Sequence, residues 1–227
     1  MGRLASSIAH EINNPLEAVT NLLYLAAQTT DSETKLLVES AQQELQRVSH
    51  ITTNTLQFNR QRLLPAPIDV IATMQSATDL YQGRFTQAGI HVIFETRDCP
   101  KIEALSGEIR QVFANLVGNA LDAMKRGGTL VVRIRPSTNW STGTAAVRVT
   151  VADNGHGMSS ETKAQVFKPF FTTKENTGTG LGLWISADIL QRHNGSVRIR
   201  SAATGSCRGT TFCLVFPQDG AGDIIAA

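Results

Sequence analysis

The chain has 227 residues, of which 41% are hydrophobic and 18% charged, a composition typical of a folded protein with one large domain or two small ones. Its 21 basic residues nearly balance 19 acidic ones, so the net charge is only +2 and nothing indicates nucleic-acid binding. Apolar runs are far too short to cross a membrane and no signal peptide is recognisable, so we expect a cytoplasmic chain without membrane contact, any membrane anchor lying outside it.

The first 62 residues predict two amphipathic helices, 3–27 and 33–60, joined by the turn QTTDSE. In the second helix, apolar residues recur at alternating spacings of three and four, as in a helical bundle. These are Leu37, Ala41, Leu45, Val48, Ile51, Thr55 and Phe58. Two helices cannot bury such a face by themselves, so we expect a homodimer that pairs two hairpins into a four-helix bundle.

Beyond this hairpin the pattern changes to mixed helices and strands. The two prolines of RLLPAPIDV predict a hinge linker at 63–67. Helices are predicted over 68–88, 106–126 and 181–193, and strands over HVIFET, TLVVRIRP, AAVRVTVAD, GSVRIRSA and GTTFCLVFP. This order predicts an α+β chain in which a two-layer α/β sandwich with a mixed sheet occupies 68–217, followed by a tail at 218–227.

The segment AHEINNPL places a histidine on the polar side of the first helix. Its apolar residues cluster on the opposite side: Leu4, Ile8, Ile12, Val19 and Leu23. The face of His10 is shared by Asn14, Glu17 and Asn21. The asparagine at position 14 argues against a zinc-binding H-E-x-x-H helix, which needs a second histidine there. A neutral imidazole beside a carboxylate can instead act as a nucleophile whose proton the carboxylate takes up. This predicts His10 as the nucleophile and Glu11 as its base.

Four segments of the second domain each suggest one part of a nucleotide site. Asn115 and Asn119 lie on one face of the 106–126 helix together with Asp122, and neutral amide oxygens suit a Mg²⁺–phosphate site. DNGHGM follows a strand, so Asp153 can accept a hydrogen bond from an adenine amine. Its glycines allow the backbone to pass close to the base.

The other two segments offer contacts to phosphates. VFKPFFTTK supplies Lys174 as a point charge, and GTGLGLWIS puts glycines at a helix start, where backbone N–H groups favour anions. Taken singly, each of the four segments also fits a solvated helix face, a turn or simple packing, and packing is the better explanation for Phe170 and Phe171.

In their order and spacing, these segments resemble the sensor histidine kinases of two-component systems, over residues 1–217. AHEINNPL resembles the phosphoacceptor box, NLVGNALDA the N box, DNGHGM the G1 box, VFKPFFTTK the F region and GTGLGLWIS the G2 box. The last four boxes resemble the GHKL-type, or Bergerat, ATP-binding fold shared with Hsp90-type chaperones, type II topoisomerases and MutL proteins.

The resemblance implies an autophosphorylating protein-histidine kinase. His10 would take the γ-phosphoryl group of ATP, with Glu11 as general base, and pass it to an aspartate in the receiver domain of a response regulator. Asn14 matches the position that holds a water for the reverse, dephosphorylating reaction. Asn119 and Asn115 would coordinate Mg²⁺. The implied nucleotide site also contains Asp122, Asp153, Gly155, Gly157, Phe171, Lys174, Gly178, Thr179, Gly180, Leu181 and Gly182.

The chain departs from the family pattern at its start, because only nine residues precede His10. The resemblance therefore implies that an N-terminal sensor domain is missing from this chain. One alternative is a GHKL-type ATPase, but those enzymes carry a catalytic glutamate where Asn115 stands, and an amide cannot act as a base. Another alternative is a nucleotide-binding dimer scaffold without kinase activity.

Overall fold

The computed structural model describes residues 19, 21, 22, 26, 34, 38 and 41, and then 64–124, 126–139, 143–174, 180–205 and 208–220. The chain forms two compact units, one of Met1–Arg62 with Thr172–Thr179 and one of Leu63–Phe171 with Gly180–Ala227. Each unit is described by itself.

The described residues of the N-terminal hairpin region are all helical. Val19 and Ala41, which the sequence assigns to apolar faces, are buried, and Asn21, assigned to the polar face of His10, is exposed. This agrees with the predicted facing of both helices at these three positions. The pairing of two hairpins into a four-helix bundle lies outside the described residues.

The second unit alternates strands and helices. Its strands are β1 Ala66–Ile68, β2 Ile90–Thr96, β3 Ile102–Ala104, β4 Gly128–Thr138, β5 Ala145–Asp153, β6 Ser196–Ala202 and β7 Gly209–Pro217. Its helices are α1 Val70–Asp79, α2 Gln82–Ala88, α3 Ser106–Ala123, α4 Ser160–Gln165 and α5 Gly182–Arg192.

Five of the strands form one mixed sheet in the order β2-β4-β5-β7-β6. Strand β2 runs parallel to β4, whereas the other neighbours are antiparallel. Strands β1 and β3 form a separate antiparallel pair, with Ile68 opposite Ile102. The α+β class and the mixed sheet are confirmed.

The core lies between one face of this sheet and helices α1, α3 and α5. Along each strand the inward residues are apolar and buried, as period-two alternation requires. Phe113 of α3 meets Phe216 of β7 edge to face, with ring centroids 5.9 Å apart. Such an aromatic pair contributes about 0.5–1.5 kcal/mol beyond the area it buries. This contact joins the helix layer to the sheet through α3 and β7.

The prediction of a single helix over 68–88 is wrong. Asp69 caps α1, since its Oδ1 accepts from the backbone N–H groups of Ile71 (2.8 Å) and Ala72 (3.1 Å), so the helix begins after Ile68. It ends after Asp79, where the backbone N–H of Tyr81 donates to Thr78 in a tighter turn. The chain then restarts as α2.

Three other elements differ from the sequence prediction. Strands β1 and β3 were not expected, because each has only three residues and β1 contains a proline that suggested a linker. The short helix α4 was also missed. Helix α3 ends at Ala123 rather than at residue 126.

Candidate functional site

Asn115 ties helix α3 to the start of helix α5. Its Nδ2 donates to the carbonyl oxygen of Gly182 at 3.0 Å and to the hydroxyl oxygen of Ser186 at 3.2 Å. Ser186 in turn donates to the same Gly182 oxygen at 2.8 Å and is buried. Because both bonds use the nitrogen, the carbonyl oxygen Oδ1 is the atom of this side chain suited to ligating a cation.

Asn119 and Asp122 continue the polar face of α3 toward its C-terminal end. Asn119 is half-buried, whereas Asp122 is exposed. The carboxylate of Asp122 accepts from Nη2 of Arg84 on helix α2 at 2.9 Å. Asp122, predicted to contact the nucleotide, therefore forms an ion pair with Arg84, a residue that the sequence analysis did not predict at this site.

The ring of Tyr81 packs against α3 at Gly118. The guanidinium of Arg84 lies 5.9 Å from the centroid of its ring. A Cβ added to Gly118 would lie 3.0 Å from the Tyr81 hydroxyl oxygen, so a larger residue would displace the ring. This explains the glycine inside the segment NLVGNALDA. A cavity of about 350 Å³ opens beside it, lined by Arg84, Gln87, Ala88, Leu121, Asp122, Met124 and Arg126.

Asp153 is the last residue of strand β5 and is half-buried. Its Oδ1 accepts from the backbone N–H of Gly155 at 2.9 Å. Burial raises the pKa of the Asp153 carboxyl, while hydrogen bonds from the backbone N–H groups of Gly155 and Thr210 act in the opposite direction. The carboxylate is thus partly desolvated but held in one orientation, as a hydrogen-bond acceptor for a ligand should be.

The glycines after Asp153 allow two close approaches of backbone. A Cβ on Gly155 would lie 2.6 Å from the carbonyl oxygen of Ala123, the last residue of α3. The backbone N–H of His156 donates to that same oxygen at 3.1 Å. Gly157 has φ +67° and a Cβ there would overlap the carbonyl group of Ala202. The loop is therefore fixed between α3 and strand β6.

Phe170 in VFKPFFTTK and Gly180 in GTGLGLWIS bring the backbones of these two segments together. Both have left-handed backbone conformations, with φ +65° each. A Cβ on Gly180 would lie 2.6 Å from the carbonyl oxygen of Phe170. Leu181 is buried, and Gly182 begins α5. The backbone thus leaves the second unit after Phe171 and returns at Gly180, almost at the same point.

The remaining predicted site residues are placed as follows. Phe171 is half-buried, and its backbone N–H donates to Lys168 at 3.4 Å. Lys174 belongs to the other compact unit, where its backbone N–H donates to the Thr172 hydroxyl at 3.1 Å. His10, Glu11, Asn14, Gly178 and Thr179 lie outside the described residues.

Three predicted segments therefore meet in the second unit: the face of α3, the loop Asp153–Gly157 and the start of α5. The sequence analysis did not predict three contacts. Ser186 accepts a hydrogen bond from Asn115, Tyr81 packs against α3, and Arg84 pairs with Asp122. A signal existed only for Ser186, which lies one helical turn after Gly182 and so faces the same side of α5.

A nucleotide with its metal requires suitable donor and acceptor atoms at this site. Within the described part of the chain, no group of three or more His, Cys, Asp or Glu residues is arranged to hold a metal. Amide oxygens of Asn115 and Asn119 suit Mg²⁺ that is bound mainly by phosphates and water. The Asp153 carboxylate, oriented by the backbone N–H of Gly155 at 2.9 Å, can accept a hydrogen bond from an amine of a base. These residues fit a nucleotide with its metal.

Two family models match the chain in succession. The His Kinase A (phospho-acceptor) domain matches residues 1–63, and the histidine kinase-, DNA gyrase B-, and HSP90-like ATPase family matches residues 105–220. The chain belongs to the histidine kinase-, DNA gyrase B- and HSP90-like ATPase family. Together the two matches confirm the resemblance to the catalytic core of sensor histidine kinases.

Similar proteins agree with this assignment. Sporulation kinase E of Bacillus subtilis (strain 168) is 29% identical over 219 residues, covering 96% of this chain and 28% of that protein. Sensor histidine kinase ZraS of Klebsiella oxytoca is 30% identical over 224 residues, covering 97% of this chain and 46% of that protein. The chain thus spans less than half the length of these relatives.

A solved structure is similar over nearly the whole chain. Histidine kinase ThkA, crystallised in complex with response regulator protein TrrA, is 26% identical with a TM-score of 0.70, covering 96% of this chain and 62% of that one. Among the described residues, no helix has the length and apolarity needed to span a bilayer.

Proposed function

We propose that this chain is the catalytic core of an autophosphorylating protein-histidine kinase. In this proposal residues 1–62 carry the dimer interface and the phosphoacceptor His10. Residues 63–67 are the hinge, 68–217 bind ATP, and 218–227 are a tail. The observation that carries the proposal is the succession of a phosphoacceptor-domain match and an ATPase-family match along one chain.

The geometry of the second unit supports ATP as the phosphoryl donor. Asp153 has the desolvated, oriented carboxylate that recognition of an exocyclic amine requires. Gly155 and Gly157 let this loop pack closely against the backbone of Ala123 and Ala202, which fixes its course next to Asp153. The first residues of α5 offer backbone N–H groups to phosphates. We assign Leu181, Gly182, Gly178, Thr179, Gly180, Lys174 and Phe171 to the surroundings of the nucleotide.

We further propose that Asn119 and Asn115 hold Mg²⁺, which would neutralise developing charge on the phosphates. Asn115 also separates this function from ATP hydrolysis. Its amide cannot take a proton from water, and its nitrogen is committed to Gly182 and Ser186. ATP would thereby be preserved until an imidazole reaches it.

The transfer step consists of positioning and charge neutralisation. Nε2 or Nδ1 of His10 would form the new N–P bond as the bond from the γ-phosphorus to the β,γ-bridging oxygen breaks, and Glu11 would accept the imidazole proton. The phosphoryl group would then pass to an aspartate of a response regulator receiver domain. The similar kinase ThkA was crystallised with a response regulator, which supports this partner. Asn14 would position a water that hydrolyses the aspartyl phosphate of the response regulator.

We propose a homodimer as the working form, since a phosphoacceptor domain match covers residues 1–63. The relatives extend well beyond the matched region. We therefore propose a longer protein in which a sensor domain precedes the present chain, and we propose a cytoplasmic location for the catalytic core.

Labelling with ATP carrying ³²P at the γ-position tests the function. We expect the label on protein to be acid-labile and stable to alkali, and to be absent from His10→Gln. His91→Gln, which alters an exposed histidine on the sheet, is the matched control and should label normally. Rapid release of inorganic phosphate without protein label would indicate an ATPase. Absence of both would indicate a scaffold.

A further inference from the structure

The sheet has a second face, opposite the helices, that carries five arginines. Because side chains alternate along a strand, the residues next to the buried Val132, Val149, Phe212 and Leu214 point to this outer face. The arginines are Arg133 and Arg135 on β4, Arg148 on β5, and Arg198 and Arg200 on β6. The whole chain has a net charge of only +2, so positive charge is concentrated here.

The strand register arranges these side chains into two ridges with a floor between them. Arg133 and Arg135 form one ridge, and Arg198 and Arg200 form the other. The floor between them consists of smaller residues on β5 and β7, namely Thr150, Ala152, Thr211 and Cys213, and the neighbouring pair Arg148 and Val215 closes one end of it. Strands β4 and β6 are three strand spacings apart, which is roughly 14 Å. We call this surface the arginine trough.

The trough is only partly neutralised by the described residues of the chain. Glu95 accepts two bonds from Arg133 at 2.7 and 3.2 Å and lies 3.5 Å from Arg135. Within the described part of the chain, Arg148, Arg198 and Arg200 have no ion-pair partner within 4 Å. All three are exposed.

One pair of arginines is placed unfavourably for the isolated fold. Arg135 and Arg148 stand directly opposite each other in the β4–β5 register. Like charges at such positions destabilise a sheet. Among the described residues, Glu95 lies near Arg135 but no acidic side chain lies within 4 Å of Arg148, so the pair favours a ligand of opposite charge.

We propose that the arginine trough docks an acidic α-helix of a partner protein. A helix with its side chains is about 10–12 Å across, which matches the spacing between the ridges. Carboxylates along both edges of that helix would pair with the ridges, and its small or apolar residues would rest on the floor. Arginine is the residue best suited to such interfaces, since it combines bidentate pairing with packing.

The shape of the surface favours a helix over other anionic partners. A bilayer is flat, so it reaches the ridges but leaves the small residues of the floor without contact. Ala152 and Cys213 on the floor add apolar contacts that a nucleic-acid backbone does not use. The trough lies on the face of the sheet opposite the nucleotide site and is independent of the proposed kinase reaction.

Binding of a synthetic helix tests the inference on the full chain. The probe is a fluorescein-labelled, alanine-rich helical peptide of about 20 residues, long enough to cross the sheet, with glutamates on both edges of one stripe. A second peptide has glutamine at every glutamate position. We expect fluorescence anisotropy to detect binding of the acidic peptide only, and binding should weaken as salt rises.

Charge reversal locates the site. Arg198→Glu/Arg200→Glu should weaken binding roughly tenfold or more, whereas Arg198→Lys/Arg200→Lys should retain most of it. Lys101→Glu/Arg110→Glu has the same change in net charge at exposed positions away from the trough, and should bind normally. Circular dichroism verifies that each variant is folded, and Arg198→Gln/Arg200→Gln replaces the reversal variant if it is not.

A footprint gives a second readout. Cys213 on the floor is a half-buried free thiol, and the described free thiol Cys99 lies elsewhere. Bound acidic peptide should slow alkylation of Cys213 but not of Cys99. The inference is overturned if the acidic peptide does not bind, or if it binds equally to the Arg198→Glu/Arg200→Glu variant. Preference for anionic vesicles or for DNA over the peptide would also overturn it.

Discussion

The amide nitrogen of Asn115 donates to the carbonyl oxygen of Gly182, and this 3.0 Å bond joins the middle of α3 to the first residue of α5. Two sequence segments 67 positions apart therefore share one hydrogen-bonded corner. The two bonds from Nδ2 of Asn115 also fix the orientation of its amide, so that Oδ1 is the atom left to bind a cation. A displacement of Gly182 would therefore change the orientation of the Asn115 amide.

Removing the hydroxyl of Ser186 should loosen this corner. In Ser186→Ala the Asn115 amide loses one acceptor, so its orientation is less well fixed and nucleotide affinity in the presence of Mg²⁺ should fall by about three- to tenfold. Isothermal titration with a non-hydrolysable ATP analogue, with and without Mg²⁺, measures this. Ser76→Ala, an exposed serine in α1, is the matched control. An equal loss with and without Mg²⁺ would contradict a role in orienting Asn115.

Asp153→Asn should separate stability from binding. The variant can still accept from Gly155 but no longer carries a charge, so nucleotide affinity should fall roughly ten- to a hundredfold. Because burial raises the pKa of the Asp153 carboxyl, the charged form costs stability at neutral pH, and the variant should melt at a higher temperature. Titration calorimetry and thermal denaturation at pH 7.5 measure the two effects.

The sign of the stability effect provides a check on that interpretation. A raised pKa means that the stabilising contribution is present in acid and lost as the pH rises through the folded-state value. The melting-temperature advantage of Asp153→Asn should therefore shrink toward pH 4. An advantage that grows in acid would show that desolvation is not the cause.

Gly180→Ala should disrupt the point where the segment after Phe171 returns to the second unit. The substitution forces a Cβ into a left-handed conformation and against the backbone of Phe170. Gly89→Ala is a matched control, because Gly89 has the same φ of +65° with nothing within 4 Å of the added Cβ. The control should lose about 1 kcal/mol in urea unfolding, and Gly180→Ala clearly more. Equal losses would mean that the contact with Phe170 is unimportant.

His193 should make the stability of the second unit depend on pH. It is 2% exposed, and its Nε2 accepts from the backbone N–H of Leu105 at 3.2 Å. The ring proton is therefore on Nδ1, which donates to the carbonyl oxygen of Ile189 at 2.9 Å. Burial lowers the pKa of the His193 imidazole, against the opposing influence of the Ile189 carbonyl and Glu108.

A lowered histidine pKa gives stability that is present above the unfolded-state value of about 6.5 and is lost as the pH falls through the folded-state value. Urea unfolding between pH 7.5 and 5.5 should show a decline of at most about 1.4 kcal/mol per pH unit. The decline should be smaller in His193→Gln. Asp153 contributes with the opposite sign, so the difference between the two proteins is the decisive quantity. An identical decline in both would exclude His193.

The parts of the fold that the sequence predicted are those that one strand or helix determines by itself. AAVRVTVAD and GTTFCLVFP have unbroken β-branched patterns, and the strands occupy those residues. The break in 68–88 was not predictable because both halves are amphipathic. Tyr81, which lies at the break, packs against Gly118 in a distant helix, and no local pattern indicates that contact.

The candidate site divides in the same way. Asp153, Gly155 and Gly157 are recognisable because a strand end and a glycine-rich loop are local features. The Arg84–Asp122 ion pair spans 38 positions and the Asn115–Ser186 bond spans 71. Neither spacing has a local pattern, so both depended on the tertiary fold.

The meeting of Phe170 and Gly180 has a consequence for protein engineering. Since the backbone leaves and returns at one point, the residues between them can be lengthened or replaced without moving any strand or helix of the second unit. Doubling the length of such a loop costs only about 0.6 kcal/mol of closure entropy. This junction therefore suits the insertion of a grafted peptide or a reporter domain.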